Sequence, residues 1–235
     1  MSTDSPGPAV SFLPHDDGWS VAPSPYGTLA EDPGRQWVAL PADFAQTEWA
    51  DSSAYAEDMA AALVVRQRVL LGDKDIPDDL HTRVADQIRD SYAQLFDLVP
   101  AHFHLLHWPD LRKPPIPVLV DFWKPEHDAH SAVMHYLGSF EYEKESGKMP
   151  VKEAFTTERL GSGVRVVRFV PLHPDDPQDP DYLLGVLAYH WRTRDPAVDV
   201  QLLAFTNELG QLYAALSDLD AFANGIALTA APAPE

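Results

Sequence analysis

The chain contains no cysteine among its 235 residues. Disulfides, thiolate metal sites and cysteine nucleophiles are therefore excluded. Positive charge is scarce as well: 17 Lys and Arg stand against 36 Asp and Glu, for a formal net charge of −19. A field of that sign repels phosphate backbones and anionic lipid, and no run of Lys or Arg interrupts it. Neither nucleic acid nor a membrane surface is expected as a partner. Long apolar runs are missing too, since nothing approaches the ~20 residues of a membrane span. The opening stretch MSTDSPGPAVSFLPHDDGW holds no Lys or Arg, and the first basic residue is Arg35. A secretory signal needs a basic start and an apolar stretch of about 7–15 residues, so a cytoplasmic protein is expected.

What is present suffices for a core. Hydrophobic residues make up 45% of the chain and charged residues 23%, an ordinary balance for a globular protein. Residues 1–35 are rich in Pro, Gly, Ser and Asp, with Phe12, Trp19 and Tyr26 scattered among them, and read as an extended arm. A single domain is expected over residues 36–228, followed by a flexible tail, 229–235.

Within that domain, QWVAL (Gln36–Leu40) suits a short strand. DSSAYAEDMAAALVVRQRVLL offers Asp51 and Ser52 as caps and places Tyr55, Met59, Leu63 and Leu70 at roughly helical spacing. Its LVV stretch also suits a strand, so the second half is open to both readings. DIPDDLHTRVADQIRDSYAQLFDL is clearer. Pro77, Asp78 and Asp79 fit a first turn, and Leu80, Val84, Ile88, Tyr92 and Leu95 form one stripe. Next come HFHLLHW and PIPVLVDFW, rich in aromatic and branched residues. EAFTTERL and VRVVRFVPL flank Gly161–Gly163, which predicts a hairpin turning at GSG. LLGVLAYHW and VDVQLLAF flank RTRDPA and predict a second hairpin. ELGQLYAALSDLDAFANGIAL reads as a terminal helix that buries Leu212, Leu216, Leu219, Phe222 and Ala223. The order implies an α+β fold: an antiparallel sheet of about six strands with helices packed on one or both faces.

Six of the ten histidines lie in two clusters, His102–His107 and His127–His135. On a strand, His102 and His104 share one face and His107 points to the other. On a helix, His127 and His130 are neighbours, while His135 lies roughly 80° round from His127. The helical zinc signature, two histidines at i,i+4 with a glutamate between, is absent. A metal site therefore requires the clusters to meet, with His102, His104, His127 and His130 as ligands and Asp121 or Glu126 completing the set. No cofactor is expected otherwise.

Other constellations are incomplete. Ser162 in LGSGV is flanked directly by Gly161 and Gly163, each one place too close for a nucleophile elbow. No phosphate-cradling G-x-x-x-x-G-K-[ST] occurs. HPDDPQDPD (His173–Asp181) lacks the spacing and glycine of a calcium loop. Trp37, Trp49, Trp108, Trp123 and Trp191 fall at element ends or in strands, where packing and groove lining both use them.

The final third carries a resemblance. GVRVVRFVPL, LLGVLAYHWRT and VDVQLLAFTN, followed by LDAFANGIAL, together resemble the PsbP-like superfamily of photosystem extrinsic subunits, the Ran-binding Mog protein and actinobacterial lipoproteins. LLAFTN (Leu202–Asn207) and LDAFANGI (Leu219–Ile226) are similar to the apolar strand and closing helix of that group. The likeness covers residues 164–228 and carries no functional residue. It implies an α/β/α sandwich and an adaptor or accessory role.

With no intact catalytic constellation, the expectation is a non-enzymatic binding or accessory protein with another protein as its partner. The apolar strands leave an edge able to pair two subunits, which allows a homodimer. The alternative class is a metal-dependent hydrolase built on His102, His104, His127 and His130.

Overall fold

A computed structural model describes residues 10–12, 37–41, 44, 47–71, 76–98, 101, 103–123, 151–172, 182–194 and 197–228. Its elements run β1 (Val10–Phe12), β2 (Trp37–Leu40), α1 (Ser52–Leu71), α2 (Leu80–Leu98), β3 (Phe103–His107), β4 (Ile116–Trp123) and β5 (Val151–Thr157). They continue with β6 (Gly161–Leu172), β7 (Tyr182–Arg192), β8 (Asp199–Thr206), α3 (Leu209–Ala214), α4 (Leu216–Gly225) and β9 (Ile226–Leu228). Seven strands form one antiparallel sheet in the order β2-β3-β4-β8-β7-β6-β5, and β1 pairs with β9 apart from it. The α+β class expected from the sequence is the one observed, with seven strands where the sequence implies about six. The chain falls into two compact units, residues 14–119 and residues 1–13 with 120–235.

In the first of these units, Asp51 starts α1. Its Oδ1 accepts from the backbone N–H groups of Ser53 at 3.0 Å and Ala54 at 2.9 Å, satisfying two donors that the first turn leaves without helical partners. The helix continues unbroken through Leu63, Val64 and Val65, so the strand alternative for LVV is not the one adopted. Burial explains the outcome. Tyr55, Ala56, Met59, Ala60, Leu63 and Val64 are all buried, and burial of each large side chain contributes about 1.5–3 kcal/mol. That outweighs the few tenths lost to β-branching in a helix. Helix α2 begins at Leu80, later than expected. Pro77 lies in the turn before it, where its carbonyl accepts from the Leu80 N–H at 3.1 Å. Leu80, Val84, Ile88 and Leu95 are buried as the stripe predicts, with Tyr92 half-buried.

The two helices are fastened to each other and to β2. Arg89 of α2 donates to Asp86 at 2.7 Å, to Ser53 at 3.3 Å and to Glu57 of α1. The Tyr55 hydroxyl donates to the Ala39 carbonyl, and the Tyr92 hydroxyl to the Pro41 carbonyl at 3.2 Å. Strands β2 and β3 pair with Trp37 opposite His107 and Leu40 opposite His104. The Trp108 indole then donates to the Lys113 carbonyl at 2.7 Å, and Arg112 closes onto Asp110, ordering the proline-bearing connection to β4.

In the other unit, β5 to β8 pair antiparallel in sequence. The first hairpin does not turn at GSG. Thr157 pairs with Gly161, so Glu158–Leu160 make the turn and Gly161–Gly163 open β6. The Leu160 N–H donates to Thr157 Oγ1 at 3.0 Å across it. The hairpin through RTRDPA forms as expected, closed by Thr193 N–H donating to the Val198 carbonyl at 2.9 Å. The expected terminal helix is two helices and a short strand. Ala215, buried between α3 and α4, donates to Gln211 and accepts from Leu219, each at 2.9 Å. Leu212, Leu219, Phe222 and Ala223 are buried and Leu216 partly so.

Candidate functional site

Of the four candidate metal ligands, His104 alone is described; His102, His127 and His130 lie outside the described residues, as does His173–Asp181. His104 is buried on β3, its ring 4.1 Å from that of Phe96. His107 faces the other side of the strand, 4.7 Å from the Trp37 ring. The pleat thus sends these two imidazoles apart, each against an aromatic partner. Among the described residues no group of three or more His, Asp or Glu is placed to hold a metal ion.

The strands β5 to β8 carry charge on both faces. On the face that α4 covers, Arg165 of β6 donates to Asp220 of α4 at 2.5 Å and to Glu153 of β5. Tyr189 of β7 donates its hydroxyl to the other Asp220 oxygen. Phe155, Tyr189 and Trp191 pack beside them, with Phe155 and Tyr189 edge-to-face at 4.9 Å and Tyr189 stacked parallel to Trp191 at 5.8 Å. Burial, and then the hydrogen bond to Asp220, hold the Tyr189 hydroxyl well above the usual phenol range. Each of these groups is engaged with another, and the tyrosine stays protonated at any physiological pH. The cluster ties α4 to the sheet; it presents no activated nucleophile or base.

On the opposite face, β7 and β8 place Arg192 against Asp199, with the guanidinium forked onto the carboxylate at 2.5 and 2.6 Å. His190, two residues along and opposite Gln201, is buried. Burial, aided by the nearby Arg168 charge and opposed by Asp199, pushes its imidazole down to about 4. At neutral pH it is an uncharged core histidine.

Ser162 occupies an exposed position in regular β-strand opposite Thr156, not a strand-to-helix turn. Its glycine neighbours have structural reasons. Gly161 has φ +76°, in the left-handed region. A Cβ on Gly163 would stand 2.4 Å from the His190 carbonyl oxygen and 2.5 Å from the Trp191 ring. The tryptophans Trp37, Trp49, Trp108 and Trp191 are buried, which assigns them to packing and not to an open groove.

What remains unaccounted for lies on α1. Its outward face carries Ala54, Asp58, Ala61, Ala62, Val65, Arg68 and Val69, all exposed. Val65 is 59% exposed and Val69 80%. Exposed apolar residues are normal when scattered, but these lie four apart, on one line along a helix whose other face is fully buried. The signal was present in the sequence as an excess of apolar positions, more than one buried face of a 20-residue helix can hold. Arg165 and Asp220, by contrast, are 55 residues apart and share no local pattern. Among the described residues, no helix is long and apolar enough to cross a membrane.

No family model matches the chain, and neither the curated proteins nor the solved structures yield a match to it.

Proposed function

We propose that the chain is a non-enzymatic accessory protein that works by docking through the outer face of α1. One observation carries the reading: Val65 and Val69 stand exposed on a helix whose buried side already supplies the packing of its unit. An exposed apolar line rimmed by charged residues is the usual mark of an interaction surface. Among the described residues, Arg165 with Asp220 and Glu153, and Arg192 with Asp199, support the reading from the other side, because these charges are engaged with one another. The expected cytoplasmic location belongs to the same proposal, as does the PsbP-like likeness of residues 164–228 with its implied adaptor role.

The test is paired capture from native lysate after chemical crosslinking, so that weak contacts survive the washes, with tagged full-length chain, once as wild type and once carrying Val65→Asp. A stoichiometric protein retained by the wild type and lost by the variant is the expected result. Identical recoveries from the two baits, or none from either, would sink the reading.

A further inference from the structure

Resting on that reading, we infer that the partner of the α1 face is a second copy of this chain, packed antiparallel across a two-fold axis. Three features of the helix lead there. The first is spacing. Ala54, Asp58, Ala61, Val65 and Arg68 follow one another at intervals of four, three, four and three, the repeat that lets one helix lie along another. The second is size: Ala61 and Ala62 at the middle of the line keep the surface low, so a partner helix can approach closely around the two valines.

The third is charge, and it selects both the partner and its direction. The chain carries −19 overall, so two copies repel unless the contact itself sets opposite charges face to face. Along the exposed line, acid stands in the first half of α1 at Asp58 and base in the second half at Arg68. A parallel pair would stack Asp58 on Asp58 and Arg68 on Arg68. An antiparallel pair centred level with Leu63 does the reverse. Asp58 and Arg68 are each five residues from that level, about 7.5 Å along the axis, so each meets the other's counterpart. The same centre sets Ala61 against the partner's Val65, a small residue under a larger one. The surface is therefore complementary to itself, as an isologous contact requires.

One helix pair buries less than the roughly 1,200–2,000 Å² of a standard stable interface, so a dissociation constant of roughly 10–100 μM is expected.

Sedimentation velocity on the full chain over a concentration series tests this, with circular dichroism confirming the fold of each variant. A reversible dimer is expected for the wild type. Val65→Asp should weaken it at least roughly tenfold, because a carboxylate is then pressed against an alanine surface. Arg68→Glu should weaken it by roughly fivefold, and Asp58→Lys added to Arg68→Glu should recover most of that loss. Asp58 also accepts from the Trp49 indole at 3.2 Å, so a charge-independent measurement stands beside the swap. The chain has no cysteine, and single cysteines can be placed cleanly. Mixed Ala61→Cys and Val65→Cys chains should oxidise to a mixed dimer in higher yield than either chain alone.

A wild type that stays monomeric up to about 300 μM overturns self-association, as does a dimer indifferent to Val65→Asp. A mixed disulfide no more abundant than the single-site ones overturns the antiparallel arrangement. These failures are separable from failure of the docking reading. A monomer whose captured partner is still lost with Val65→Asp refutes only the identity of the partner, whereas a monomer whose captures ignore the substitution refutes both.

Discussion

The two compact units bury polar groups in different ways, and the contrast bears on where function resides. In residues 14–119 the helices bury tyrosine hydroxyls, and each is donated to a main-chain carbonyl, Tyr55 to Ala39 and Tyr92 to Pro41. Burial keeps both phenols protonated far above neutrality. In the other unit the sheet carries charge: Arg165 is held between Glu153 and Asp220 on one face, and His190 lies near Arg168 and Asp199 on the other. The surfaces reverse the contrast. Val151, Leu183 and Tyr213 are exposed on three different elements of the sheet unit, whereas Val65 and Val69 line up on one helix of the helical unit. In the sheet unit Arg165, Glu153 and Asp220 link β5, β6 and α4, and Arg192 with Asp199 links β7 and β8. In the helical unit Val65 and Val69 of α1 stand exposed while Leu63 and Val64 of the same helix are buried.

The sharpest way to break that comparison is to truncate the two faces of α1 in turn. Leu63 is fully buried, and Leu63→Ala should cost about 2–5 kcal/mol through lost transfer energy and the cavity left behind. Val69→Ala, on the outer face, should change stability by no more than about 0.5 kcal/mol. Urea unfolding of both variants decides the matter. Equal losses would mean that the outer face is packed after all and serves the fold.

Acid should separate the units next. His190 is held down to about 4 in the folded chain against its ordinary 6.5, first by burial and then by Arg168. The unfolded chain therefore takes up a proton that the folded chain refuses. Stability is full above pH 6.5 and declines as the pH falls from there towards 4, by on the order of 3 kcal/mol from this residue. Tyr55 and Tyr92 contribute nothing over the same range. The many carboxylates add their own dependence, so the informative quantity is the difference between wild type and His190→Leu in unfolding free energy at pH 7 and pH 4.5. The variant should lose less stability on acidification. Parallel profiles would show that the histidine is already protonated, or solvated, in the native state.

How much of this was legible in the sequence follows from how local each cause is. Helix α2 could be read because Leu80, Val84, Ile88 and Leu95 repeat at the helical period with polar residues between. The second half of α1 could not, because Leu63, Val64, Val65 and Val69 place apolar residues on both sides of the helix and blur the period. The blur was itself the trace of the outer face. On β3 the pleat predicted correctly that His104 and His107 part company, since three residues of strand reverse the side. The link from Arg165 to Asp220 joins a strand to a helix 55 residues away and leaves no mark in either segment. GSG misled because glycine marks any backbone demand, and here neither glycine sits at the apex of a turn.

Those two glycines carry smaller effects than Leu63 or His190, and they probe β6 at a crowded and at an open point. Gly163 faces Trp191 across the β6–β7 pairing, and a methyl group there would lie 2.4 Å from the His190 carbonyl oxygen. The backbone cannot retreat without disturbing a strand paired on both sides, so Gly163→Ala should cost about 1–3 kcal/mol, as overpacking does. Gly161 has nothing within 4 Å of where its Cβ would stand, and only its φ of +76° resists a side chain. Gly161→Ala should accordingly cost about 1 kcal/mol, the strain of a left-handed residue. Asn tolerates that conformation better than Ala, so Gly161→Asn should be milder than Gly161→Ala, while Gly163→Asn should be worse than Gly163→Ala. This reversal of rank, measured by thermal unfolding of the four variants, separates a conformational demand from a steric one within three residues of the same strand.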